Sequence, residues 1–167
     1  MSEGLLCECR MPLVWHEATP DEAERQSMMR EAALLLTAIN QMEGGHETEA
    51  GADNRRLDRL EAKLDLALHL LARALEPNAP GVFRMVRLGA EAVEWEEPVP
   101  PDEGATLVLE LRPSEALPLT LKLPAVALAP EVGMARAQLA GLSEALNDAL
   151  VQFVFRRHRQ AIRARAG

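Results

Sequence analysis

From Asn54 to Leu75 the chain sets leucine and alanine at alternating steps of three and four residues. The positions are Leu57, Leu60, Leu64, Ala67, Leu71 and Ala74, with Leu68 and Leu75 widening the stripe. An α-helix turns once per 3.6 residues, so this spacing gathers the side chains on one face. Glu76, Pro77 and Pro80 end the helix. Two arrangements compete for that face: packing on a neighbouring helix of the same subunit, or self-association. Leucine also stands off the stripe, at Leu66 and Leu70. The helix therefore carries more apolar surface than one neighbour can cover, which favours self-association through Leu57, Leu60, Leu64, Ala67, Leu68, Leu71 and Leu75. Only about three heptads are present, and Leu with Ala at the seam does not select sharply among dimers, trimers and tetramers.

A second helix precedes it. Thr19 is the expected N-cap, Pro20 occupies the first turn, and Asp21, Glu22 and Glu24 lead into Met28, Leu35, Ile39 and Met42. Its end is expected near Gly44 and Gly45, and the polar stretch to Asp53 connects the two helices.

On either side of this helical insertion the period changes from 3.6 to two. Cys7, Cys9, Met11, Leu13 and Trp15 alternate with Glu8, Arg10 and Pro12, which predicts a half-buried strand with Pro12 at an edge or a bulge. Beyond Val82, Val93 and Trp95 alternate with glutamates. Leu107, Leu109 and Leu111 do so with Val108 and Glu110, and Leu117, Leu119, Leu121 and Leu123 repeat the pattern. Breaks at Gly89, at Pro98 to Gly104 and at Pro113 to Ala116 divide the region into about five short strands. With the first strand that makes six, an antiparallel meander or barrel. From 131 onward Leu139, Leu142, Leu146, Leu150, Phe153 and Val154 return to helical spacing. The expected organisation is a first barrel strand in 1–18, a helical insertion in 19–79 with the oligomerisation helix at 54–75, the rest of the barrel in 80–130, and a long C-terminal helix in 131–167.

The formal charge of −8 opposes general attraction to phosphate backbones, so nucleic-acid binding is not expected without a local basic patch. One patch exists: Arg156, Arg157, His158, Arg159, Arg163 and Arg165 follow the last acidic residue, Asp148. It could bind an anionic ligand, RNA or an acidic partner protein, but it lacks the aromatic platform used for single strands, and its plainer reading is a helix end whose cations complement the dipole. No apolar run approaches the ~20 residues that span a bilayer, and no basic segment leads into a hydrophobic stretch, so a cytoplasmic protein without membrane insertion is expected. Cys7 and Cys9, the two cysteines, are read as free buried thiols, since neighbours two apart on one strand are poorly placed for a relaxed disulfide. With His16 they do not complete a four-ligand metal set. Asp65 and His69 lie one helical turn apart, an ordinary surface pair. No nucleophile elbow, phosphate-cradling glycine loop or zinc-hydrolase helix occurs, so no catalysis, cofactor or metal is expected.

The helix RLDRLEAKLDLALHLLARAL at Arg56 to Leu75, together with MPLVWH near the start, VRLGAEAVEW at Val86 to Trp95 and FVFRRHRQAIRARA at the end, resembles the PilZ family, and within it the tetramer-forming PilZ-like subgroup. The resemblance covers nearly the whole chain. It implies an α+β fold: a six-stranded antiparallel barrel, two helices inserted after its first strand (the second a coiled-coil helix), and a C-terminal helix. It also implies a homo-tetramer with protein partners in motility, type IV pilus or virulence signalling. Cyclic di-GMP receptors of the family carry RxxxR and [D/N]xSxxG motifs, and neither is intact here. Arg87-Leu88-Gly89-Ala90-Glu91-Ala92 is the nearest match to the second, with all three defining positions changed. Arg55 and Arg59 have the RxxxR spacing, but inside the long helix. A non-enzymatic scaffold or adaptor that does not bind the nucleotide by the usual motifs is therefore the leading expectation. The alternative is a cyclic di-GMP receptor using noncanonical arginines, for which Arg84, Arg87, Arg156, Arg157 and Arg159 are the candidates.

Overall fold

A computed structural model describes residues 4–44, 52–74, 81–115, 117 and 119–166. Strand β1 (Cys7–Glu17) leads into helices α1 (Glu22–Glu43) and α2 (Ala52–Ala74). Strands β2 (Phe83–Leu88), β3 (Ala92–Glu96), β4 (Thr106–Leu111), β5 (Leu121–Glu131) and β6 (Met134–Leu139) follow, and helix α3 (Glu144–Ala166) ends the order. The six strands close into an antiparallel barrel in the order β1-β2-β3-β6-β5-β4.

The long first strand makes closure possible. Its N-terminal half pairs with β2, from Cys7↔Leu88 to Pro12↔Phe83, and its C-terminal half with β4, from Leu13↔Leu111 to Glu17↔Leu107. Pro12 stands where β1 changes partner. A closed barrel has no edge strand, but the crossover is where the β1–β4 register stops: the Pro12 carbonyl accepts from Arg112 N at 3.1 Å, and proline has no N–H with which to return that bond.

The inward set along the strands is Leu13, Val86, Leu88, Val93, Trp95, Leu107, Leu109, Leu111, Leu121 and Leu123, all fully buried. Each such side chain contributes about 1.5–3 kcal/mol through removal from water. Trp95 is the largest, and it lies between Val86 of β2 and Ala135 of β6. The small side chains of Ala135 and Ala137 leave the space it fills.

Three expectations are corrected. Residues 134–139, placed in the C-terminal helix, form β6, and α3 begins only at Glu144; Leu139 therefore belongs to the barrel. Leu117 and Leu119 precede β5 rather than opening it, and β5 runs on to Glu131, so 82–130 holds four strands, most of the fourth beyond the expected run. Finally, the α1 cap is Asp21, not Thr19: Asp21 Oδ1 accepts from Glu24 N at 2.8 Å while Glu24 Oε2 accepts from Asp21 N at 2.9 Å, a reciprocal capping box. Gly44 ends the helix as expected, and Gly45 lies outside the described residues.

Helix α1 packs against β5 and α3 through Met29, Ala32, Leu35, Leu36 and Ile39, while α3 inserts Leu146, Leu150, Phe153 and Val154. Helix α2 touches the rest of the subunit mainly through α1. Among the described residues, no helix is long and apolar enough to cross a membrane.

Candidate functional site

At 100° per residue, Leu57, Leu60, Leu64, Leu68 and Leu71 fall within about 80° of arc, with Ala67 at its border and Leu66 on the opposite side. The structure divides α2 accordingly. Leu66 is 5% exposed and joins the core with partly buried Leu70, whereas Leu57, Leu60, Leu64, Leu68 and Leu71 are 54–67% exposed. Ala67 is exposed beside them, and Leu75 lies outside the described residues. The leucines off the stripe are thus the ones its own subunit covers, and the stripe is left without a cover. Next to it, Leu34 of α1 is also exposed, above an open groove of about 260 Å³ between α1 and α2 that Asp58, Glu61 and Asp65 border. The side chain of His69 lies outside the described residues, which leaves the Asp65 pairing there.

The candidate arginines do not converge. Arg84 reaches across one end of the barrel, donating to Leu13 O at 3.3 Å and Glu96 O at 2.8 Å and pairing with Glu97 at 3.0 Å. Glu97 is buried and also accepts from Trp15 Nε1 at 2.6 Å, so one carboxylate joins β1, β2 and the end of β3. Arg87 lies on the outer surface between Glu8 at 2.9 Å and Glu94 at 3.5 Å; Glu8, first of the two, raises its pKa. Arg156 and Arg157 belong to a third cluster, both paired with Glu43, at 2.7 and 3.2 Å. Arg156 also donates to Asn40 Oδ1, and Arg157 to Pro113 O. Burial lowers the Arg156 pKa, and Glu43 opposes that shift. Arg159 stacks over Phe155 on the exposed side of α3.

Glu43, Asn40 and Glu97 were missed by reading the sequence. For Glu43 there was a signal: an acid in the last turn of a helix opposes the dipole and calls for cations from elsewhere. Nothing local marks Asn40 or Glu97. Among the described residues no cluster of His, Cys, Asp and Glu has the makings of a metal site.

The family model of the atypical PilZ domain, described as a cyclic di-GMP receptor, matches residues 34–166. The chain belongs to the atypical PilZ family. Its fold is similar to the crystal structure of a pathogenic protein from Xanthomonas campestris, with a TM-score of 0.73 and 28% identity over 97% of this chain and 92% of that one. That protein is described as a new tetrameric PilZ domain self-assembled via an unusual helical bundle. No curated protein matches. In this PilZ domain the nearest counterpart of the nucleotide-binding [D/N]xSxxG motif lies at the β2–β3 hairpin, where Gly89 N donates to Ala92 O. A Cβ at Gly89 would come within 2.7 Å of Leu6 Cδ2, so a serine there would displace that leucine. Arg55 and Arg59 lie in α2, away from the hairpin.

Proposed function

We propose that this PilZ domain is a self-assembling, non-enzymatic adaptor of the cytoplasm. In this reading the exposed leucine face of α2 builds a homo-tetrameric helical bundle, and the barrels are displayed from it to protein partners in signalling such as motility, pilus function or virulence. The carrying observation is the two-faced α2: its own subunit covers Leu66 and leaves Leu57, Leu60, Leu64, Leu68 and Leu71 exposed. Five leucines in one stripe form a contiguous apolar patch of the kind that marks an interaction surface. Leu57, Leu64 and Leu71 repeat every seven residues, with Leu60, Ala67 and Ala74 three residues after each, the spacing of a coiled-coil seam. The assembly of the Xanthomonas campestris protein through a helical bundle supports a tetramer. Several barrels on one bundle make later contacts with a partner intramolecular, so weak single contacts sum to useful avidity.

The family's description as a cyclic di-GMP receptor favours a second reading, in which the nucleotide binds through noncanonical arginines. Against it, Arg84, Arg87, Arg156 and Arg157 are already engaged by carboxylates in three separate places. A ligand would have to replace those partners.

Light scattering after size-exclusion chromatography, with calorimetric titration of cyclic di-GMP, tests both. The adaptor reading expects a nucleotide-independent tetramer and no binding heat at several temperatures. Leu64→Asp should yield smaller, folded species, whereas Leu66→Asp should instead destabilise the subunit. A monomeric wild type overturns the assembly, and micromolar or tighter nucleotide binding overturns the non-receptor assignment.

A further inference from the structure

Charge on α2 is sorted by side. At about 100° per residue, counted from Leu57, the exposed leucine stripe centres at about 340°. On one edge Glu61, Asp65 and Asp58 follow at about 40°, 80° and 100°, and on the other Arg56, Lys63 and Arg59 stand at about 260°, 240° and 200°. All six side chains are exposed. The sorting sets like charges three or four residues apart: Asp58 with Glu61, Glu61 with Asp65, Arg56 with Arg59, and Arg59 with Lys63. Such pairs weaken a lone helix. Among the described residues, none of the six has an ion-pair partner in its own subunit, so nothing there offsets the repulsion.

The acidic edge is also the mouth of the groove between α1 and α2, which Leu34, Gln41, Asp58, Glu61 and Asp65 help to line. Gln41 Oε1 is buried at the wall of that groove with no hydrogen-bond donor. An acceptor without a donor, next to three carboxylates without cations, suits an arginine or lysine brought from outside the subunit. The opposite edge of a second α2 carries both.

We infer that the α2 helices of neighbouring subunits run parallel around one rotation axis, the acidic edge of each set against the basic edge of the next. This direction rests on the bundle proposed above, whose leucine seam leaves it open. With Leu57, Leu64 and Leu71 at the a positions, Glu61 is an e position and Arg56 and Lys63 are g positions. Parallel neighbours bring a g residue against the e residue five places on, so Arg56 of one subunit meets Glu61 of the next. Antiparallel neighbours bring e against e and g against g, which sets acids beside acids and bases beside bases, and juxtaposed like charges oppose association. An interface between two unlike edges is heterologous and is completed by closing a ring. Every barrel then lies at the same level along the bundle and turns the same surface the same way, an arrangement suited to one partner with repeated sites.

Light scattering first fixes the assembly of the full-length wild type. Direction is read by disulfide crosslinking in a Cys7→Ala, Cys9→Ala background, with Leu57→Cys alone, Leu71→Cys alone, and the two chains co-expressed. The two positions are about 21 Å apart along a helix, so only level copies can join. Each variant should crosslink to its own kind, and no 57-to-71 product should form. A second measurement keeps the native cysteines. Because the pair recurs at every interface, Arg56→Glu and Glu61→Arg alone should each raise the concentration needed for half-assembly about tenfold, and the two together should restore most of it. The difference should shrink in concentrated salt. A tetramer that crosslinks position 57 to position 71, single reversals that assemble as tightly as wild type, or a double variant no tighter than either single overturns the direction and leaves the bundle standing. A monomeric wild type overturns both. Circular dichroism of each variant separates lost assembly from lost folding.

Discussion

Glu43 stands in the last turn of α1, where a negative charge opposes the helix dipole, and it is kept there by Arg156 at 2.7 Å, Arg157 at 3.2 Å and Ser114 Oγ at 3.1 Å. Because these side chains are only 16–30% exposed, removing the carboxylate leaves two arginines poorly solvated and unpaired. Glu43→Ala is therefore expected to destabilise the protein by about 2–3 kcal/mol in urea unfolding at fixed protein concentration. Arg87 makes two ion pairs as well, but its side chain is 47% exposed, so solvent screens both. Arg87→Ala should leave the unfolding midpoint close to that of wild type in the same measurement. The contrast separates arginines that hold helices together from one that decorates the barrel surface.

For an element, the sequence is most informative where local chemistry suffices. The period of α2, the alternation of β1 and the stop at Gly44 are such cases. The start of α1 is nearly one, since Thr19 and Asp21 are both good caps and only the reciprocal bonds with Glu24 decide between them. Asp21→Ala should cost about 1 kcal/mol in thermal or urea unfolding, and Thr19→Ala, an exposed residue ahead of the cap, close to nothing. Strand β6 was illegible for a different reason. Ala135, Ala137 and Leu139 do alternate with Arg136 and Gln138, but alanine is a poor strand former, and Leu139 continues at helical spacing into Leu142 and Leu146. What makes the segment a strand is its pairing with β3 on one side and β5 on the other, and the bulk of Trp95 opposite Ala135 is what suits small side chains there.

At the scale of the whole molecule, α2 is bound to its own subunit mainly through α1, and its leucine stripe is exposed. If subunits cover that stripe for one another, assembly draws on the same free energy as folding. Mass action then makes the apparent melting temperature rise with protein concentration. Calorimetric or fluorescence melts over a wide concentration range should show this rise for the wild type and lose it in Leu64→Asp; a melting temperature independent of concentration in both would count against a bundle that stabilises the subunit.

The sequence by itself determined what depends on neighbours along the chain: the alternation of the first strand, three helices in number, a leucine face on the second helix, a PilZ likeness with altered nucleotide motifs. Periodicity carries this information because it reflects which side of an element meets water. Only the tertiary structure decided where the barrel closes, that residues 134–139 complete it, which face of α2 the subunit covers, and that Arg84, Arg87, Arg156 and Arg157 meet carboxylates in separate places. Those outcomes depend on distant partners, such as Glu43 with Arg156 and Trp95 with Ala135, and no local pattern encodes which distant residue will occupy the space beside a given side chain.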